Sequence, residues 1–498
     1  MSKTSLFLFF LILYSQLQGQ NRDPRFDGLT EEVYSLMKKC QTVGVSITVV
    51  ENDSLIWSRG FGYRNLEEKL PVTPNTLFPI ASATKPISSS LIGVYVGKGE
   101  VAMHDKPRKY IPYLEFASEE MNSLITVEDL LAHRSGIGVV DAAHVFFPTN
   151  DIQQHLQRLR YLVPNSQVRE RFDYSNMGYA ILGEITAQIS GKSWEENIHQ
   201  EIFNPLQMVR SNCSLTALQA DENFAYGYKV SKGSVIKTEY EDQHESGASG
   251  AINSCSDELA QWVKMLLNRG KIDQKQIIPK AYLEEAFSEH NLIRGSFSFD
   301  KQYELIGDSY GYGWFVHQYK GLYRVNHGGN VSGFTSLISL YPYKNIGIII
   351  LTNQGSANNL TSAVEDILIN RLLGRTRKPW KEYSLQVGEA IVPLTQLPPI
   401  NEVEKPSRPL REYCGNYFSK AYGVANVFQE DEKLMIQFPA FKMFLEHQAY
   451  NTFINRVVEK HHQNTPSFYI RFYPNDGGEI REMRIEFSEE PERFAKQE

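Results

Sequence analysis

Ser82-Ala83-Thr84-Lys85 is the stretch on which the fold of this chain turns. It is an S-x-x-K tetrapeptide, followed by Pro86 and by the apolar run Ile87 to Val96, which Gly97 and Gly99 close. Proline suits the first turn of a helix, and a helix sets residues three apart on one face. Ser82 and Lys85 would then meet at a helix start. A serine hydroxyl is a poor nucleophile until a neighbouring base takes its proton. Lysine is such a base only when neutral, a state favoured by desolvation, by nearby positive charge and by the positive end of a helix. Alone the tetrapeptide is weak, because chance supplies several in 498 residues and a surface helix start reads the same way. Partners downstream decide.

Two partners follow in order. Tyr174-Ser175-Asn176 stands just before the helical pattern Tyr179 to Ile189, which stops at Gly191. A Y-x-N turn can aim a phenolic oxygen and an amide into one cleft. Tyrosine serves as acid or base where a neighbouring cation lowers its pKa, and Lys85 would supply that cation. Taken singly, the tripeptide reads as a helix-capping turn. His327-Gly328-Gly329 ends one strand signal and leads through Asn330-Val331-Ser332-Gly333 to the next. Glycines there let a backbone come close to a substrate, and a backbone N–H at that edge can hold an oxyanion. A glycine-rich hairpin explains the glycines but not the histidine. His133 ends the helical signal Thr126 to Leu131, and Ser135-Gly136 makes a turn behind it, so it is read as structural rather than as a base.

Around these motifs the pattern is α+β. Thr30 to Cys40 reads as an amphipathic helix, and Val45 to Glu51 and Leu55 to Phe61 as strands joined by Asn52-Asp53. The middle is mostly helical, with Ser256-Asp257 as the cap of a helix through Leu267. Strand signals return at Gly313–Tyr319, Gly321–Asn326, Phe334–Tyr341 and Ile346–Thr352, and a helix from Leu360 to Leu373 closes the region. Strands at both ends with helices between predict a sheet built from both ends of a domain spanning 25–375. Residues 376–408, rich in proline, read as a linker. From 409 to 498 short strands with polar turns at Asp431-Glu432 and Asn475-Asp476-Gly477 predict a small all-β domain, a barrel.

Bulk properties bound the function. Apolar residues are 42% and charged residues 22% of the chain, ordinary for a globular protein. A net charge of −7 argues against a nucleic-acid partner. Met1-Ser2-Lys3, the apolar run Leu6 to Leu13 and Gly19-Gln20 form a secretory signal pattern over 1–19, too short to span a bilayer. The expectation is an exported protein, periplasmic or extracellular, without a stable membrane anchor. Cys40, Cys213, Cys255 and Cys414 are spaced widely and irregularly, and are read as free, mostly buried thiols. No zinc spacing occurs, and His461-His462 sits in a charged stretch read as solvated surface, so no metal or cofactor is expected. Gly307-Asp308-Ser309-Tyr310-Gly311 fits the G-x-S-x-G nucleophile elbow. That elbow needs a strand before and a helix after, and a glycine-broken strand follows instead.

S-x-x-K, then Y-x-N, then H-x-G, in this order, resemble the serine β-lactamase and penicillin-binding protein superfamily, most closely its class C-like branch. Leu77-Phe78-Pro79-Ile80-Ala81, Gly250-Ala251-Ile252 and Tyr310-Gly311-Tyr312-Gly313-Trp314 support the resemblance. It implies a β-lactamase/DD-peptidase-like fold, an antiparallel sheet flanked by helices plus a helical subdomain. It also implies roles: Ser82 the acylated nucleophile, and Lys85 and Tyr174 sharing base and acid duties. Asn176 would orient substrate amides, and the N–H groups of Ser82 and Asn330, beside Gly329, would form the oxyanion hole. The implied substrate is a small molecule or peptide: an ester, a D-amino-acid peptide or amide, or a β-lactam. A non-catalytic penicillin-binding or ligand-sensing protein of the same fold is the alternative. His327 stands where the superfamily usually has the lysine that holds a substrate carboxylate. Histidine is mostly neutral near pH 7, so efficient penicillin hydrolysis is not expected. The C-terminal domain is similar to the lipocalin-like appendages of such enzymes.

Overall fold

The computed structural model describes residues 23–138, 146–149, 151–240, 247–293, 305–375, 405–457, 467–487 and 491–497. The signal-like segment, nearly all of the linker and His461-His462 lie outside the described residues.

The sheet grows from a hairpin. Gly44–Glu51 is rich in β-branched residues and pairs antiparallel with Ser54–Asn65, with Val45 opposite Phe61 and Thr48 opposite Ser58. The turn falls on Asn52 and Asp53, both left-handed at φ 49° and 64°, as a two-residue hairpin of matching twist requires. On its other side Gly44–Glu51 pairs with Ile346–Thr352, setting Ile47 opposite Ile350. Both ends of the domain thus meet in one sheet. Among the described residues it holds nine antiparallel strands, in the order Asn291–Leu292, Leu305–Tyr310, Phe315–Tyr319, Leu322–Val331, Phe334–Tyr341, Ile346–Thr352, Gly44–Glu51, Ser54–Asn65 and Leu70–Pro71.

Side chains alternate along these strands and divide the core into two layers. Ile348 and Ile350 pack with Leu29, Val33 and Met37 of the first helix, Leu29–Cys40, and with Leu360 and Val364 of the helix Asn358–Leu372. Ile349 and Leu351 face the opposite layer, where Leu259, Val263 and Leu266 of the helix Ser256–Leu267 cover them. That layer continues into the helical subdomain, in which Thr84–Lys98 and Asn176–Ser190 pack against each other. The α+β fold, an antiparallel sheet flanked by helices with a helical subdomain, is therefore the architecture observed.

Several local expectations shift. Cys255, not Ser256-Asp257, occupies the cap position of Ser256–Leu267. The Ser256 hydroxyl is instead within 2.7 Å of the Ser46 hydroxyl and accepts from Thr48 at 2.9 Å, tying helix to sheet. Leu305–Tyr310 is a strand, and it is followed by another strand, so the elbow at Ser309 is excluded; its hydroxyl is buried and donates to the Val316 carbonyl at 2.9 Å. His327-Gly328-Gly329 lies inside the strand Leu322–Val331 rather than at a strand end. All four cysteines are free thiols, with Cys40, Cys213 and Cys255 buried.

The C-terminal strands close into an eight-stranded barrel, sealed by the pairs Tyr417–Lys496 and Phe418–Ala495. Tyr413 belongs to a short helix, Leu410–Tyr413, ahead of the first barrel strand, Gly415–Ser419; its hydroxyl donates to Asn451 Oδ1 at 2.7 Å. The strands Lys442–Ala449, Thr452–Val457 and Glu492–Lys496 escape the sequence reading because charged and polar residues interrupt their apolar pattern. Phe146 and Phe147, from the chain before the barrel, join its aromatic cluster. Phe146 lies 4.9 Å from Phe438 and 5.2 Å from Phe487 between ring centroids, and Phe147 lies 5.4 Å from Tyr422. Both phenylalanines are buried, so the barrel and the rest of the chain share one apolar core. Among the described residues no helix is long and apolar enough to cross a membrane.

Candidate active site

Ser82 sits in a single 3-10 turn, Ala81–Ala83, that runs directly into the helix Thr84–Lys98. Ala81 adopts φ +49°, a left-handed conformation that costs an alanine about 1 kcal/mol or more and so marks a turn held by its surroundings. The holders flank it on both sides. Ile80 N–H donates to the Ile252 carbonyl at 3.0 Å, and the Ile80 carbonyl accepts from the Ser336 hydroxyl at 2.7 Å. The Thr84 hydroxyl accepts from Ile252 N–H at 3.2 Å. Ser82 itself is half-buried.

Gly329 shows why the third motif needs its glycine and why the strand runs unbroken through it. A Cβ there would lie 2.1 Å from the Ile80 carbonyl oxygen and 2.9 Å from the Ser82 nitrogen. The strand Leu322–Val331 thus lies against the serine turn, a closeness any side chain would prevent. Asn330 is exposed; its side-chain oxygen accepts from Thr335 at 3.0 Å and its amide donates to Asn358 Oδ1 at 3.2 Å.

Lys85 is completely buried one helical turn beyond Ser82. Its Nζ lies 3.4 Å from Ser82 Oγ, 2.7 Å from Asn176 Oδ1 and 3.0 Å from the Ser249 carbonyl oxygen. It also stands 4.6 Å from the ring centroid of Tyr174 and 5.5 Å from that of Tyr179, over their faces, where a cation is attracted by the ring quadrupole. Asn176 opens the helix Asn176–Ser190, capped by the Ser175 hydroxyl, which accepts from Gly178 N–H at 3.1 Å. The Y-x-N segment is thus both a capping turn and a contributor to the cleft.

His133 holds that turn. Its Nδ1 accepts from Ser175 N–H at 3.0 Å, and its ring packs 4.4 Å from Tyr174 and 4.7 Å from Tyr310. Its Nε2 has no hydrogen-bond partner among the described residues, in keeping with the structural reading. His327 is also buried, with its ring centroid 6.4 Å from that of Tyr174. Burial above all, then the positive charge of Lys85, lowers His327 to about 3, against an opposing hydrogen bond to Gly328. His133 is lowered well below its ordinary range by burial, then by Lys85 and His327.

Both imidazoles are therefore neutral at physiological pH. The unfolded chain binds protons at these histidines near pH 6.5, whereas the folded His327 binds one only near pH 3. The unfolded state then holds more protons in that window, so stability falls as pH drops through it. Urea unfolding at a series of pH values will show this decline, and His327→Gln will make its slope shallower. An unchanged slope would show that His327 titrates alike in both states.

Ser82, Lys85, Tyr174, Asn176, His327 and Gly329, drawn from three distant stretches of sequence, are thus brought to one cleft. Two participants escape the sequence reading. The Ser249 carbonyl is a main-chain acceptor with no side-chain signature. Tyr310, whose hydroxyl is 2.9 Å from His327 Nε2, is visible in sequence only as one aromatic of a glycine-rich strand. Among the described residues no three His, Cys, Asp or Glu side chains gather as a metal-ligating group.

The arrangement has relatives. Protein flp of Staphylococcus aureus is 26% identical over 322 residues, covering 64% of this chain, and the chain spans 61% of the length of that relative. Unguisins hydrolase ungD of Aspergillus violaceofuscus is 24% identical over 432 residues, covering 79% of this chain and 74% of the relative. The octameric penicillin-binding protein homologue from Pyrococcus abyssi superposes with a TM-score of 0.61 at 24% identity, covering 94% of this chain and 99% of that one, a likeness of fold. Residues 400–497 match a domain of unknown function, DUF3471. Residues 29–367, more than half of the chain and including every residue of the cleft, match the family described as Beta-lactamase. This chain belongs to the beta-lactamase family.

Proposed function

We propose that this protein is a serine hydrolase that works through an acyl-enzyme on Ser82. The observation that carries the reading is the setting of Lys85, a fully buried amine within reach of the Ser82 hydroxyl. Two of its partners, the Ser249 carbonyl and Asn176 Oδ1, only accept hydrogen bonds. Once it has given up a proton, the amine still satisfies both with two N–H groups and can turn its lone pair to Ser82.

In this mechanism Lys85 Nζ takes the Ser82 proton as Oγ bonds to the acyl carbon. The carbonyl oxygen becomes an oxyanion held by the main-chain N–H groups of Ser82 and Asn330, the pair that Gly329 brings near each other. Collapse breaks the bond to the leaving alcohol or amine, which receives the proton through Lys85 and Tyr174. Water then attacks the acyl-enzyme with the same groups as base and acid, releasing the carboxylic acid and restoring Ser82. Asn176 bridges Lys85 and an amide or ester of the bound substrate. The substrates are acyl compounds of the ester, D-amino-acid amide or peptide, and β-lactam classes. The hydrolase named among the relatives supports a hydrolytic rather than a purely binding role.

Pre-steady-state kinetics test this. Mixing the protein with excess p-nitrophenyl ester will give a burst of p-nitrophenol stoichiometric with active chains, followed by slower turnover. Release without a burst, at equal rates in wild type and Ser82→Ala, would refute an acyl-enzyme on Ser82.

A further inference from the structure

The hydrogen bonds of His327 carry an inference about what the cleft accepts. Its Nδ1 lies 2.6 Å from the Gly328 carbonyl oxygen, which can only accept, so Nδ1 carries the imidazole proton. The remaining nitrogen of a neutral ring, Nε2, then has only a lone pair. It lies 2.9 Å from the hydroxyl of Tyr310, which is the donor in this pair and also hydrogen-bonds Tyr179. Both nitrogens are thus occupied, and the side chain is 1% exposed. Tyr310 cannot easily turn away. It is fully buried, with its ring 4.9 Å from Phe315, 4.7 Å from His133 and 5.5 Å from Phe172. Burial also holds its phenol well above the ordinary range, so it remains a donor. Among the described residues the titratable groups around His327 are Lys85, His133, Tyr174 and Tyr310. None is an acid that would draw a proton onto the ring.

We propose that Tyr310 is a positioning and specificity residue that locks His327 as a neutral, doubly hydrogen-bonded imidazole, so that this side of the cleft takes an uncharged part of the substrate. The consequence for substrates rests on the acyl-transfer reading above and narrows it. Neutral esters and amides fit; carboxylate-bearing D-peptides and penicillins meet neither a cation nor a free N–H at this position. A buried carboxylate without such a partner carries a heavy desolvation cost.

Nitrogen NMR of the histidine side chains tests the lock without depending on catalysis. The His327 signals, assigned by their loss in His327→Gln, will report a protonated Nδ1 and an unprotonated Nε2 unchanged from about pH 5 to about pH 8. The Nε2 signal will shift in Tyr310→Phe, which removes one hydroxyl and keeps the ring. A protonated Nε2 in wild type, titration within that window, or the same Nε2 signal in Tyr310→Phe would overturn the lock. Kinetics test the consequence. The preference for a neutral ester over its carboxylate-bearing counterpart, as a ratio of kcat/KM, will fall in Tyr310→Phe, which takes away the hydroxyl that occupies Nε2. An unchanged ratio would overturn the substrate assignment. The expected tautomer in a chain that hydrolyses no ester would instead count against the acyl-transfer reading alone.

Discussion

Ser82→Ala will lower kcat for ester hydrolysis by about 10⁴-fold or more, the scale of losing the nucleophile of an acyl-transfer site. The fold should hardly register the change. Ser82 is half-buried, and its hydroxyl makes one long contact, 3.4 Å from Lys85. The turn around it is held by the main chain of Ile80 and by Thr84 and Ser336. Activity lost with an unchanged thermal melting curve is therefore the expected pattern, measured by steady-state kinetics and circular dichroism on the same preparations. Activity retained within tenfold would move the chemistry to another residue.

Lys85→Met is the second large effect. Methionine keeps most of the length and apolar character of the lysine stem, so it fills the space in the helix Thr84–Lys98. It cannot take the proton from Ser82. Removing a general base costs about 10²- to 10⁴-fold in rate. The stability effect has two opposing parts. Asn176 Oδ1 and the Ser249 carbonyl lose a donor, a cost of about 1–3 kcal/mol for each group left buried and unsatisfied. Against this, the folded state no longer has to desolvate an amine, and the net change in unfolding free energy will be smaller than the sum of the two losses. Burst kinetics separate the roles, because acylation itself slows if Lys85 is the base. A fast acylation phase in Lys85→Met would give the duty to Tyr174.

Features legible in sequence are those with a local physical signature. The Asn52-Asp53 hairpin, the glycine stops at Gly99 and Gly191 and the helix start at Thr126 each depend on a few adjacent residues, and the structure holds each of them. Ser82 and Lys85 are legible as a pair because a helix converts a spacing of three into proximity. Their meeting with Asn176 and Gly329 is legible only through the order of three motifs. What stays hidden depends on contacts between distant segments. The Ser249 carbonyl has no side chain to announce it. Tyr310 becomes a partner of His327 only because the strands Leu305–Tyr310, Phe315–Tyr319 and Leu322–Val331 lie side by side. His327 reads in sequence as a weak anion anchor; its burial and its two hydrogen bonds, from which the neutral lock is proposed, depend on neighbours the sequence does not announce. In the barrel, polar positions break up the strands that sequence patterning misses, and their inward residues show only once the barrel closes.

Every role proposed for the cleft depends on a covalent bond to one oxygen, and mass spectrometry after incubation with a fluorophosphonate detects that bond itself. A single adduct is expected on the peptide that carries Ser82, absent in Ser82→Ala. An adduct on another serine, or labelling that persists in Ser82→Ala, would contradict it.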